Sequence, residues 1–120
     1  MPLSRLRRHI AAPIVLAAAL CLLNASVAFA QTPTAQEIIR SHGCPGCHVI
    51  PGIPEAQGHI GPTLEGVGSR PRIASGSLKN SPENMRRWLT NPKSVRVTMM
   101  PNPGLTEVEL DILIKFLQTL

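Results

Sequence analysis

Aromatic side chains are nearly absent from this sequence. Among 120 residues there are two Phe, one Trp and no Tyr, and Phe29 lies in an apolar segment near the N-terminus. The sequence also has twelve Pro and nine Gly, which favour loops over a packed core. A small domain of this kind is only marginally stable by itself. We therefore expect a bound non-protein group to complete the core.

Acidic residues are also few, seven against twelve Lys and Arg, which gives a formal net charge of +5. Three of the arginines, at positions 5, 7 and 8, precede the apolar segment, and without them the net charge is +2. No basic stripe interleaved with aromatic residues is present. The composition therefore gives no case for a nucleic-acid partner.

The first 30 residues have the three parts of a secretory signal peptide. A positively charged start is followed by an apolar run over residues 10–23 and by a small-x-small cleavage site at Ala28-Phe29-Ala30. We predict that residues 1–30 are a cleaved signal and that residues 31–120 form a single domain in the periplasm. Left uncleaved, the segment would be a membrane anchor, since about 20 apolar residues cross a bilayer.

The chemistry of the chain is concentrated in one pentapeptide, Cys44-Pro45-Gly46-Cys47-His48. Two thiols three positions apart, followed by an imidazole, suit the covalent attachment of a c-type haem. Each thiol adds to one haem vinyl group, and the histidine is delivered to the iron. We predict one haem c per chain, attached through Cys44 and Cys47, with His48 as the proximal iron ligand.

Three other interpretations of the pentapeptide compete with haem attachment. A thioredoxin-like redox pair begins a helix that follows a strand, whereas here a helix precedes the pair. A zinc site needs a second pair of soft ligands, and only His42 and His59 are available. A structural disulfide, although usual in exported proteins, would close a very small loop. Haem attachment accounts for Cys44, Cys47, His48 and the signal peptide together.

A metal-bound histidine usually donates its other ring nitrogen to an acceptor. The loop Gly61-Pro62-Thr63-Leu64-Glu65-Gly66 offers the Pro62 carbonyl for His48. A plain turn at Pro62 is the alternative.

The second iron ligand is expected on a distant loop. Met100 fits, because its soft thioether favours ferrous iron and raises the reduction potential, and because Pro101 restricts the backbone of the residue before it. Met99 is the second choice for the distal ligand. His59 in that place would give a bis-histidine haem, and core packing is the alternative for both methionines.

Start and stop signals predict about three helices. Capping boxes, in which a Thr is followed three residues later by Glu, begin helices at Thr34 and Thr106. Ser81-Pro82 begins another, which ends at Asn91-Pro92. Dense Gly and Pro predict loops over residues 49–80, and no run alternates as a strand. The last helix is expected to reach the C-terminus with a buried stripe formed by Leu113, Phe116, Leu117 and Leu120.

Several of these segments together resemble the class I c-type cytochrome family over the whole of residues 31–120. The matching residues are Cys44-x-x-Cys47-His48, Gly61-Pro62-x-Leu64-x-Gly66, Arg70, Trp88-Leu89-x-x-Pro92 and Met100-Pro101 before a C-terminal helix. The resemblance implies an all-α, small cytochrome c fold with long Gly/Pro-rich loops wrapped around one covalent haem. It also implies that Arg70 lies near a haem propionate and that Trp88 packs beside the haem. The family's glycine and aromatic residue on the first helix are replaced by Ala35 and Ile39.

A haem with both axial positions filled suits one-electron transfer and leaves no place for a small-molecule substrate. We therefore expect a one-electron carrier in a bacterial respiratory chain and not an enzyme. Its expected partners are redox proteins, namely a terminal oxidase, a cytochrome complex or a periplasmic dehydrogenase. Membrane contact is expected only through a partner or an uncleaved signal.

The sequence also allows other functions, and it allows two interpretations of one group of basic residues. The alternative function is that of a haem c subunit within a larger oxidoreductase, and a thiol–disulfide oxidoreductase or a peroxidase-like haem enzyme is more remote. The basic residues that precede the methionine loop could form either a positive patch for an acidic partner or a solvated helix face. These residues are Lys79, Arg86, Arg87, Lys93 and Arg96.

Overall fold

The computed structural model describes residues 31–120, so the predicted signal peptide lies outside the described residues. The described part is mostly helical, with one short hairpin. Its elements are α1 (Ala35–Ser41), β1 (Arg72–Ile73), β2 (Leu78–Lys79), α2 (Pro82–Thr90), α3 (Pro92–Val95) and α4 (Glu107–Leu117). Turns of 3-10 helix occupy Cys44–Gly46 and Val67–Ser69. The predicted small helical domain with long loops is confirmed.

Side-chain caps begin the helices where the sequence predicts. The Thr34 hydroxyl accepts the backbone N–H of Glu37 at 3.2 Å, while the Glu37 carboxylate accepts the backbone N–H of Thr34 at 2.7 Å. Thr106 and Glu109 repeat this arrangement at the start of α4. At α2, the Ser81 side chain accepts from Asn84. These bonds satisfy backbone donors that have no partner within a helix.

Helix α3 was not predicted. Helix α2 ends at Thr90, but the chain begins a second helix at once instead of entering a loop. The Asn91 side chain accepts the backbone N–H of Ser94 at 3.3 Å, and Pro92 takes the first helical position. The same Asn-Pro pair that ends one helix therefore begins the next, since Pro is unfavourable inside a helix and favourable at its first turn.

A short hairpin also lies in the segment that the sequence predicts as loop. Strands β1 and β2 pair antiparallel with Ile73 opposite Leu78, and both side chains are buried. With only two residues in each strand, the period-two pattern of a strand cannot appear in the sequence.

The core lies where α1 and α2 pack against α4. Ile38, Ile39 and Leu110 are each only 1% exposed. Helix α4 ends at Leu117 and buries a stripe with spacings of three, one and three residues. That stripe consists of Leu110, Leu113, Ile114 and Leu117. Phe116 and Leu120 lie half-buried at its edge, so the predicted stripe was wrong at these two positions.

Within residues 31–120, no helix is long and apolar enough to cross a membrane.

Candidate functional site

The cysteine–histidine pentapeptide forms a compact turn directly after α1. Gly43 adopts a left-handed conformation with φ of 72°, which ends α1 and begins the 3-10 turn. The backbone N–H groups of Cys47 and His48 both donate to the carbonyl of Cys44, at 3.1 and 3.0 Å. As a result, both thiols and the imidazole line one cavity of about 700 Å³.

The two cysteines are free thiols, and both are half-buried. Burial raises the pKa of the Cys44 thiol above its ordinary value of 9.0. A cysteine that works in thiol–disulfide exchange is usually activated by a lowered pKa. The surroundings of Cys44 therefore do not favour dithiol chemistry.

His48 is oriented by a loop that folds back over the pentapeptide. Its Nδ1 lies 2.7 Å from the carbonyl oxygen of Pro62. Since a carbonyl only accepts, Nδ1 carries the proton and Nε2 keeps a lone pair for a metal. The Gly61 N–H donates to the Cys47 carbonyl at 2.7 Å and holds this loop in place.

Gly61 is required by the close approach of this loop to the imidazole. A Cβ built on Gly61 would lie 2.7 Å from Nδ1 and 2.9 Å from Nε2 of His48. Both distances are shorter than real side chains show. Glycine is therefore needed at position 61 because a side chain there would collide with the His48 ring, and not because of an unusual backbone conformation.

The two methionines differ sharply in their surroundings, although both line the cavity. Met99 is 84% exposed, whereas Met100 is half-buried and packs against the hydrophobic core. The Met100 backbone N–H donates to the Thr98 hydroxyl at 3.1 Å. His59 is exposed and does not line the cavity. Met85 is 3% exposed within the core, as expected for a packing residue.

Arg70 and Trp88 both line the same cavity. One terminal nitrogen of Arg70 donates to the carbonyls of Thr63 and Glu65, at 2.7 and 2.6 Å. Arg70 therefore fastens the loop that carries Pro62, which the sequence did not indicate. Trp88 is half-buried on α2 and packs against the core.

The five basic residues that precede the methionine loop are divided by the fold. Arg86 pairs with Glu107 at 2.7 Å and also with Asp111, so its charge is compensated. Arg96 instead lines the cavity and donates to the carbonyls of Ala74 and Ser75, both at 3.3 Å. These contacts join positions about twenty residues apart, which no local pattern reveals.

Three further polar residues line the cavity wall, a role that the sequence did not indicate for them. Arg72 lines the cavity and donates to the Gly76 carbonyl at 2.7 Å. Ser75 has φ of 51°, which is unusual for a residue other than glycine. His42 bonds to Pro103 and Glu109. The only sequence signal for His42 at this site is its position two residues before Cys44.

The residues present fit a haem. The cavity wall is largely apolar, and it brings together two thiols, an imidazole with a free nitrogen and a half-buried thioether. Among the described residues, no Asp or Glu lines it, whereas Arg70, Arg72 and Arg96 do, and these suit the carboxylates of a porphyrin. In residues 31–120, no three His, Cys, Asp or Glu side chains are grouped to hold a metal ion by themselves.

A small helical domain with such a cavity is typical of a c-type haem protein. The family model for Cytochrome c matches residues 34–120. The chain belongs to the cytochrome c family, whose domains carry haem and transfer electrons.

Curated relatives add one further finding. The chain is 36% identical over 104 residues to cytochrome c oxidase subunit 2 of Bacillus sp. strain PS3, covering 81% of this chain and 29% of that protein. It is 32% identical over 87 residues to the subunit of the same name from Alkalihalophilus pseudofirmus, covering 71% and 24%. The chain thus spans less than a third of the length of these relatives.

Proposed function

We propose that the protein is a one-electron carrier with one covalent haem c, attached through Cys44 and Cys47, with His48 and Met100 as axial ligands. The observation that carries this proposal is the shared cavity. This cavity is lined by both thiols, by the imidazole that Pro62 orients and by the half-buried Met100 thioether.

Bound haem would supply an iron that gains and loses one electron. The residues of this chain set how readily it does so. The Pro62 carbonyl makes His48 a stronger donor, which favours ferric iron. The Met100 thioether, as a soft neutral ligand, favours ferrous iron. The apolar wall lowers the local dielectric and limits water, so the protein environment changes little during transfer.

With His48 and Met100 in place, no iron position remains for a substrate, so we infer that the protein is not an enzyme. Arg70 and Trp88 would bind the propionate edge of the haem. The spare nitrogens of the Arg70 guanidinium and the indole N–H would be the donors for those carboxylates.

We further infer that residues 1–30 direct export and that the domain works in the periplasm. A terminal oxidase is the partner favoured by the two relatives, both of which are oxidase subunits. The same observation supports a second possibility, a haem c subunit held within such a complex. Size-exclusion chromatography of the native extract separates the two, because a carrier elutes alone and a subunit elutes with its complex.

Matched methionine variants test the ligand assignment. Met100→Ala should abolish the ferric sulfur-to-iron charge-transfer band and lower the reduction potential, because the soft ligand is lost. Met99→Ala removes the same side chain from an exposed neighbouring position and should change neither. A band that survives in Met100→Ala and disappears in Met99→Ala would transfer the assignment to Met99.

Covalent attachment is tested separately. In acid acetone the haem should stay with the polypeptide of the exported protein, because thioether bonds resist extraction. Replacing both Cys44 and Cys47 by Ala should release it. Haem extracted from the unsubstituted protein would contradict the proposal.

A further inference from the structure

His42 joins the end of α1 to the chain segment that follows Met100. Its Nδ1 lies 2.7 Å from the carbonyl oxygen of Pro103, and its Nε2 lies 3.2 Å from a carboxylate oxygen of Glu109. These partners are 61 and 67 residues away in sequence. The His42 side chain is 19% exposed, so both contacts are shielded from water.

Both partners of His42 accept hydrogen bonds. A carbonyl oxygen has no proton to give. The Glu109 carboxylate is ionised, because the Thr106 backbone N–H and then the His42 side chain lower its pKa to about 2. Each ring nitrogen is therefore the donor when its bond is made.

Few hydrogen bonds hold segment 98–104. Its other hydrogen bonds among the described residues are internal, from Met100 to Thr98 and from Gly104 to Asn102. The His42–Pro103 bond is thus the hydrogen bond that fastens this segment to the rest of the described chain. Pro101 stiffens the backbone between Met100 and Pro103, so a tether at Pro103 restrains Met100 three residues away.

We propose that His42 is a positioning residue for the distal ligand. Glu109 fixes the His42 ring on α4, and the ring holds Pro103 and with it Met100 against the cavity. The statement about iron ligation rests on the function proposed above, whereas the statement about segment 98–104 does not.

The test compares His42→Gln with Ile38→Val. Glutamine keeps a polar side chain but has no second donor placed to reach both partners. Ile38→Val removes one buried methyl from the same helix, away from the cavity, and controls for a general loss of stability. Two quantities are measured, namely amide hydrogen exchange of residues 98–104 and the rate at which cyanide binds the ferric protein by displacing the distal ligand.

In His42→Gln, both rates should rise at least about fivefold, the size expected for losing one hydrogen bond. In Ile38→Val, both should stay at the wild-type values, because a loop exchanges through local opening and not through global unfolding. Unchanged exchange of residues 98–104 in His42→Gln would overturn the proposal. Faster exchange with unchanged cyanide binding would support the tether and overturn Met100 as the ligand that it positions.

Discussion

Gly61→Ala tests how the proximal histidine is oriented. The added Cβ would lie 2.7 Å from Nδ1 and 2.9 Å from Nε2 of His48, whereas ordinary contacts begin at 3.4 Å. Cε1 of the same ring would lie closer still, so the ring or the loop must move by more than about 0.7 Å in a packed site. Such a movement takes the Nδ1–Pro62 distance of 2.7 Å beyond the usual hydrogen-bond range.

Two effects of Gly61→Ala follow from that displacement. Overpacking should lower the free energy of unfolding by about 1–3 kcal/mol. Weakening the bond to Pro62 should also make His48 a poorer donor, which destabilises ferric iron and raises the reduction potential by some tens of millivolts. Denaturant unfolding and potentiometric titration measure the two effects.

Gly46→Ala is the matched control, because a Cβ at Gly46 has no atom within 4 Å and the residue lies in the 3-10 turn that leads to His48. It should leave the potential unchanged. If Gly61→Ala had the stability and potential of the wild type, the loop would not constrain the imidazole, and the reasoning would be refuted.

Three further predictions concern the scaffold. Folding lowers the pKa of Glu109 from 4.5 to about 2. The ionised carboxylate therefore stabilises the fold fully above pH ~4.5, and this stabilisation is lost as the pH falls toward 2. The free energy of unfolding of Glu109→Gln should differ from that of the wild type at pH 7 and converge with it near pH 2. Leu110→Ala should lower the free energy of unfolding by about 2–5 kcal/mol, while the exposed Val108→Ala on the same helix stays within about 0.5 kcal/mol; equal losses would contradict the packing of α4. Arg70→Lys should cost about 1 kcal/mol in denaturant unfolding, because an ammonium is too compact to hold both loop carbonyls, and Arg87→Lys on an exposed face is the control; no difference between them would remove the role of Arg70 in the loop.

The elements with strong local signals were predictable. Capping boxes at Thr34 and Thr106 placed the starts of α1 and α4, because the hydrogen bonds involved join residues only three apart. Helix α3 and the hairpin were missed because four and two residues per element carry too little periodicity. Phe116 was wrongly assigned to the buried stripe in place of Ile114, since both lie close to the apolar face and only the neighbouring helices decide between them.

From the sequence by itself, the spacing of Cys44, Cys47 and His48 predicts covalent haem, because the geometry of attachment is local to five residues. The tertiary structure decided everything that depends on contacts between distant positions. It set the 2.7 Å approach of His48 to Pro62, the half-burial of Met100 beside an exposed Met99, the pairing of Arg86 with acids on α4 and the link from His42 to Pro103. Such contacts join residues that lie from 14 to 61 positions apart, and only the packing of the helices brings them within reach.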